Sequence, residues 1–211
     1  MRALILAFLV LALTAGCGGG DDEAATSGDG CEVVQRPESR DPETREAPNG
    51  QLDRGTTYTL TFETSCGSFA VELDTDQAPK TTASLVALAR DGYFDGTILH
   101  RVVPGFVVQG GDPTQTGSGG PGYSTVDVPP ADAQYTRGVV AMAKTQFEPA
   151  GTSGSQFFVV TAEDAGLPPD YAIVGEVTDG MDAVERIDAL GVGDGPPSQP
   201  VVVATVTVAE S

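Results

Sequence analysis

Two short runs hold the residues of this chain whose types could do chemistry. The first is Ile98-Leu99-His100-Arg101-Val102-Val103-Pro104-Gly105-Phe106-Val107-Val108-Gln109-Gly110-Gly111-Asp112, which reads as two apolar strands joined at Pro104-Gly105. The second is Gly154-Ser155-Gln156-Phe157-Phe158. Arg101, Gln109 and Gln156 are polar side chains set among residues that otherwise read as core. A guanidinium is almost never buried without a partner, so Arg101 stands at a sheet margin or points into a cleft. Each buried glutamine amide likewise needs partners for its donors and acceptor. The pattern supplies hydrogen-bonding groups beside an apolar surface, and it lacks a convincing nucleophile. Gly151-Thr152-Ser153-Gly154-Ser155 has neither the full spacing nor the strand-to-helix setting of a serine nucleophile turn. His100 is the only histidine, so the usual His-rich zinc or iron site is excluded. It is expected to be structural, bonded to the backbone.

The elements that must position these residues follow from periodicity. Residues 57–64 and 68–74 alternate with period two, as half-buried strands do, and the turn at Cys66-Gly67 makes them a hairpin. Pro79 suits the first position of a helix whose apolar face is Ala83, Leu85, Val86, Leu88 and Ala89, ended by Gly92. Strand-like segments follow near 97–103, 106–110, 138–143, 156–161, 172–178 and 200–208. A second helix carries Met181, Val184, Ile187 and Leu190 and ends at Gly191. Eight strands and two helices without βαβ alternation predict a mainly β fold, a closed eight-stranded antiparallel barrel. Residues 112–137, rich in Gly, Pro and Ser, form a long irregular excursion of the kind that is functional or disordered. Within it Gly117-Ser118-Gly119-Gly120-Pro121-Gly122 satisfies G-x-G-x-x-G, but Pro121 and Pro129-Pro130 bracket a polar loop, which is turn chemistry and not a dinucleotide site.

Taken together, the two runs resemble the signature of the cyclophilins, the peptidyl-prolyl cis–trans isomerases, and the resemblance covers about residues 56–209. It implies the same barrel, with a helix over each open end, and acceleration of rotation about X–Pro bonds without cofactor or metal. It assigns Arg101 as the catalytic arginine, Phe106 as the floor of the proline pocket, and Phe158 and Leu167 as its walls. Gln109 matches the glutamine that holds the arginine and the substrate backbone, and Gln156 and Ala143 match residues of the adjoining groove. Departures bear on detail. Val107 stands where many members have Met, which makes the wall smaller and stiffer. Tyr171 replaces a histidine, and Gly166 lies where a tryptophan often binds cyclosporin, so weak sensitivity to that drug is expected. Lys144-Thr145-Gln146-Phe147-Glu148-Pro149 departs from the usual Asn-containing run. The implied partners are proline-containing polypeptides; a non-catalytic module that holds proline peptides in the same groove is the alternative.

With 30 acidic against 11 basic residues the formal charge is −19, which makes nucleic acid a poor partner. Met1-Arg2 and the apolar stretch from Ala3 to Leu13 have the form of a secretory signal too short to span a bilayer. The ending Leu13-Thr14-Ala15-Gly16-Cys17 resembles a bacterial lipoprotein processing site. That implies a signal peptide over 1–16, lipid on Cys17 and an extracytoplasmic location on the cell membrane, although Thr14 stands where leucine is preferred. Ordinary cleavage leaving a free Cys17 is the other reading. With Cys17 lipidated, Cys31 and Cys66 remain as a pair for a disulfide in an oxidising compartment, the alternative being two free thiols. Residues 17–55 are acidic and poor in apolar side chains, so a flexible tether is expected there, shortened if Cys31 is bonded. The domain then spans 56–211, and its function would be assisting the folding of exported proteins. A monomer is the simplest expectation.

Overall fold

A computed structural model of the chain describes residues 30–211; Cys17, the leader and the first part of the expected tether lie outside the described residues. Strands β1 (Tyr58–Thr64) and β2 (Gly67–Leu73) form the expected hairpin, and α1 (Pro79–Arg90) begins at its proline. Then come β3 (Thr97–Ile98), β4 (Arg101–Val103), β5 (Val107–Gly110), β6 (Thr125–Val126), β7 (Val139–Met142), β8 (Thr152–Ser153) and β9 (Phe157–Val160). The chain closes with β10 (Ile173–Asp179), α2 (Met181–Ala189) and β11 (Val202–Glu210). Gly180, at the start of α2, has φ 75°, and a Cβ there would lie 2.1 Å from the Ser68 carbonyl oxygen, so only glycine fits this turn.

The closed eight-stranded barrel is not what forms. One curled antiparallel sheet of nine strands runs β3-β11-β1-β2-β10-β7-β9-β5-β4, with β6 and β8 as a separate pair. The difference in count comes from residues 97–103, which periodicity reads as one strand. Ile98 pairs with Val202 of β11, whereas Arg101 pairs with Gln109 of β5. The chain therefore changes partner at Leu99-His100, and the two edge strands of the sheet are joined by the chain instead of by a ladder.

The sheet divides two apolar layers, and strand alternation assigns residues to them. Val102, Val108, Val140, Met142, Phe157 and Val159 point inward to the main core, where they meet Phe62, Phe94 and the buried faces of both helices. Their neighbours Val107, Ala141, Phe158 and Val160 point the other way into a smaller cluster with Tyr135. Phe106, Ala143, Leu167 and Tyr171 pack against that outer cluster.

The later half of the region read as a tether is docked, not free. Cys31 is buried and bonded to Cys66. Glu32 N–H donates to Ser65 O at 2.6 Å, Arg40 N–H to Pro113 O at 3.0 Å and Arg45 N–H to Pro121 O at 2.8 Å. The Arg40 and Arg45 guanidiniums lie over the Tyr93 ring, 5.6 and 5.0 Å from its centroid. No helix among the described residues is long and apolar enough to cross a membrane.

Candidate active site

Register across four strands brings the polar and aromatic groups together. Arg101 is the direct partner of Gln109, Gln109 of Phe158, and Phe158 of Ala141. All four fall on the outer face, and direct partners in an antiparallel ladder hold their Cβ atoms about 4.5–5.5 Å apart. Arg101 Nη1 donates to Gln109 Oε1 at 3.1 Å, Gln109 Nε2 to Gln156 Oε1 at 3.0 Å, and Gln156 Nε2 to Gly119 O at 2.9 Å. The two glutamines anticipated as needing partners thus satisfy one another and the arginine.

The far end of this chain of bonds is Asp112, which is fully buried. Its carboxylate accepts from the backbone N–H groups of Thr114, Thr116, Gly117 and Gly119 and from the hydroxyls of Thr114 and Thr116, at 2.7–3.4 Å. Desolvation raises the Asp112 pKa, but the hydrogen bonds from Thr114, Gly119 and Gly117 outweigh it and hold the carboxyl below its ordinary value. Gly119 has no room for a side chain, since a Cβ would sit 2.0 Å from Asp112 Oδ1.

An open hollow of about 270 Å³ is lined by Arg101, Phe106, Val107, Gln109, Ala143, Lys144, Phe158, Leu167 and Tyr171. Eight of these nine are the residues singled out from sequence; Lys144 is the addition. Phe158 and Tyr171 meet edge to face with centroids 5.7 Å apart. Tyr171 is held in turn by Tyr135, whose hydroxyl donates to Tyr171 O at 2.7 Å and accepts from Tyr171 N–H at 3.0 Å. Lys144 Nζ stands 5.3 Å from the Tyr171 ring centroid and donates to Glu148 O at 3.1 Å. Gln156, the ninth residue expected here, lies in an adjoining cavity of about 860 Å³ that shares Gln109, Ala143 and Lys144 with the first. The segment Ser39–Thr44 forms part of its wall, a contribution that nothing in the local sequence announces.

His100 does not make the backbone hydrogen bond expected of it. Both ring nitrogens are buried without a hydrogen-bond partner. Burial lowers its pKa from 6.5; Asp112 opposes the fall and Arg101 adds to it, so the ring stays neutral at pH 7. The other residue that sequence reasoning missed is Asp194. Its Oδ1 accepts from Arg101 Nε at 2.5 Å and its Oδ2 from Arg101 Nη2 at 3.1 Å.

Chemically, this is a guanidinium held at the mouth of an apolar, aromatic-walled slot, with the Gln109 and Gln156 amides beside it. A guanidinium has five N–H donors. Three of them serve Gln109 and Asp194, which leaves one on each terminal nitrogen for a bound molecule.

Comparison with known proteins identifies the family. The family described as cyclophilin type peptidyl-prolyl cis-trans isomerase/CLD matches residues 59–208. The chain is similar to the probable peptidyl-prolyl cis-trans isomerase A of Mycobacterium leprae, 36% identical over 170 residues that cover 71% of this chain and 91% of that protein. It is 42% identical over 132 residues to the peptidyl-prolyl cis-trans isomerase-like 1 of Aspergillus oryzae, covering 61% of this chain and 80% of that one. Among solved structures, a cyclophilin-type isomerase of Cryptosporidium parvum crystallised in the presence of the dipeptide Ala-Pro superposes with a TM-score of 0.66 at 30% identity, over 72% of this chain and 99% of that one. The chain belongs to the cyclophilin-type peptidyl-prolyl cis-trans isomerase family.

Proposed function

We propose that this isomerase uses Arg101 as its electrostatic catalyst, Phe106, Val107, Phe158, Leu167 and Tyr171 as the slot for the proline ring, and Gln109, Gln156 and Ala143 as the surface that engages the flanking backbone. The reaction breaks no covalent bond. It must lower a barrier to peptide rotation of about 18–20 kcal/mol, which in X–Pro peptides gives exchange in tens to hundreds of seconds. Raising that rate to a turnover of about 10 s⁻¹ takes roughly 10³-fold, or about 4 kcal/mol. Rotation removes amide resonance and leaves the proline nitrogen pyramidal with a lone pair. An N–H of Arg101 donated toward that nitrogen favours the rotated state over the planar one, and hydrogen bonds aimed at charge that develops only then supply energies of this size. The observation that carries this reading is the placement of Arg101, bonded to Gln109, at the rim of the apolar hollow.

The test is a proline-peptide isomerisation assay on the wild-type chain beside Arg101→Ala. Loss of roughly 10²–10³-fold in kcat/KM with peptide binding retained is expected. Activity equal to wild type would remove Arg101 from the mechanism, and a wild type without activity that still binds peptide would make the groove a recognition module.

The finer setting of this activity rests on sequence. The leader over 1–16 and the small residues before Cys17 support an exported lipoprotein on the outer face of the cell membrane, acting on exported proteins as they fold. The disulfide between Cys31 and Cys66 suits an oxidising compartment. Mass spectrometry of the mature amino terminus decides it: a diacylated Cys17 is expected, and an unmodified amino terminus elsewhere overturns the tether.

A further inference from the structure

We infer that Asp194 is a positioning residue for the isomerase reaction, a carboxylate that fixes the Arg101 fork from the side opposite Gln109. This rests on the reading of Arg101 as the catalytic donor.

Three observations carry it. The first is geometry. Asp194 takes Nε and Nη2 of Arg101 at 2.5 and 3.1 Å, two near-parallel bonds in the bidentate form that suits a planar guanidinium. With Gln109 on Nη1, the guanidinium is gripped on all three nitrogens, and its plane cannot turn without breaking a bond.

The second is the backbone beneath the pair. Asp194 and Arg101 are 93 residues apart in sequence, yet their neighbours are joined. Val102 N–H donates to Gly195 O at 2.8 Å, and Val102 and Gly195 form an antiparallel bridge. The loop that carries Asp194 is thus registered onto β4 one residue from Arg101. It is further tied back where Ser198 N–H donates to Leu190 O at 2.8 Å. The contact is set by the chain and does not depend on two long side chains finding each other.

The third is economy of donors. Asp194 takes the outer edge of the fork and leaves one N–H on each terminal nitrogen, so the carboxylate orients the guanidinium without consuming its capacity to donate. An unheld arginine, 31% exposed, would sample several rotamers and present the right donor only part of the time. The hydrogen bond from Arg101 also holds the Asp194 carboxyl below its ordinary range, so it is ionised whenever the enzyme is folded near neutral pH.

Because Asp194 is 67% exposed on a loop, its replacement spares the core. The test compares wild type, Asp194→Ala, Asp194→Glu, Arg101→Ala and the double variant in the proline-peptide assay, with peptide affinity measured separately. Asp194→Ala is expected to lower kcat about two- to fivefold, the range of an exposed but well-formed ion pair, with peptide affinity unchanged. Asp194→Glu restores part of the loss, and Asp194→Ala adds nothing in the Arg101→Ala background. The Arg101 Nε–H resonance, resolved and slow to exchange in wild type, exchanges rapidly in Asp194→Ala. Wild-type kcat in Asp194→Ala, or a loss that persists undiminished in the Arg101→Ala background, overturns the inference while leaving Arg101 as catalyst. Full activity in Arg101→Ala overturns both.

Discussion

Arg101 and Gln109 stand directly opposite one another in the β4–β5 ladder, and the hydrogen bond of 3.1 Å between their side chains follows from that register. A slip of β4 by one residue would turn Arg101 into the core and bring Val102 to the outer face, opposite Gln109. Arg101 is therefore placed by strand pairing, and the loops around it act as braces.

Gln109→Ala removes the acceptor of Arg101 Nη1 and the donor to Gln156 Oε1 together. We expect kcat/KM for a proline peptide to fall about ten- to thirtyfold, because a loosened arginine and an unpaired amide together cost on the order of 1.4–2 kcal/mol. An unchanged rate would show that the ladder and Asp194 suffice to aim Arg101 without Gln109.

Asp112→Asn tests the other end of the bond chain. The amide nitrogen of asparagine would face N–H donors, and a stability loss of about 2–4 kcal/mol by urea unfolding at pH 7 is expected. The sign of the pH effect follows from the lowered pKa. A carboxyl whose folded pKa lies below its unfolded value stabilises the fold above the unfolded value, and that contribution is lost as pH falls through the folded one. Wild-type stability should thus decline below the ordinary value of 3.8, and the decline should be shallower in Asp112→Asn. Parallel curves would exclude Asp112 as the source.

Reduction of Cys31–Cys66 frees a closure that spans 35 residues. Chain entropy sets the expected loss at about 3–4 kcal/mol, measured as the drop in urea midpoint with and without reductant or in the double serine variant. A midpoint that does not move would refute chain entropy as the source of stabilisation by this bond.

Cyclosporin should inhibit weakly, since Gly166 is exposed and offers no ring where family members often have a tryptophan. Titration of the peptide assay with the drug checks this; an inhibition constant in the low-micromolar range or tighter would refute it.

Much of the site was legible in the sequence because its residues sit on strands. Period-two alternation separates Arg101 from Val102 and Gln109 from Val108 within their own strands, whereas Phe158, in the all-apolar run 157–160, was assigned by the family signature and reaches the same face only through strand register. The slot residues Phe106, Val107, Leu167 and Tyr171 followed from the family signature, and the structure gathers them around one hollow. Strand count was less secure. Hydrophobic periodicity runs through 97–103 without a break, and only the competing partners β11 and β5 divide it.

Asp194 and the docked segment after Cys31 were decided by tertiary structure alone. In a chain with 30 acidic residues, nothing local marks the one that will meet Arg101, because ion pairing depends on proximity in space and the partner lies 93 residues away. Likewise Arg36, Arg40 and Arg45 read as charges on a solvated tether until Gln115, Tyr93 and Asp91 are brought beneath them. Sequence by itself determined the strands and the signature residues of the groove, since both are local patterns, but not Lys144 or the Ser39–Thr44 wall. Which of them are held, and by what, was decided by long-range packing.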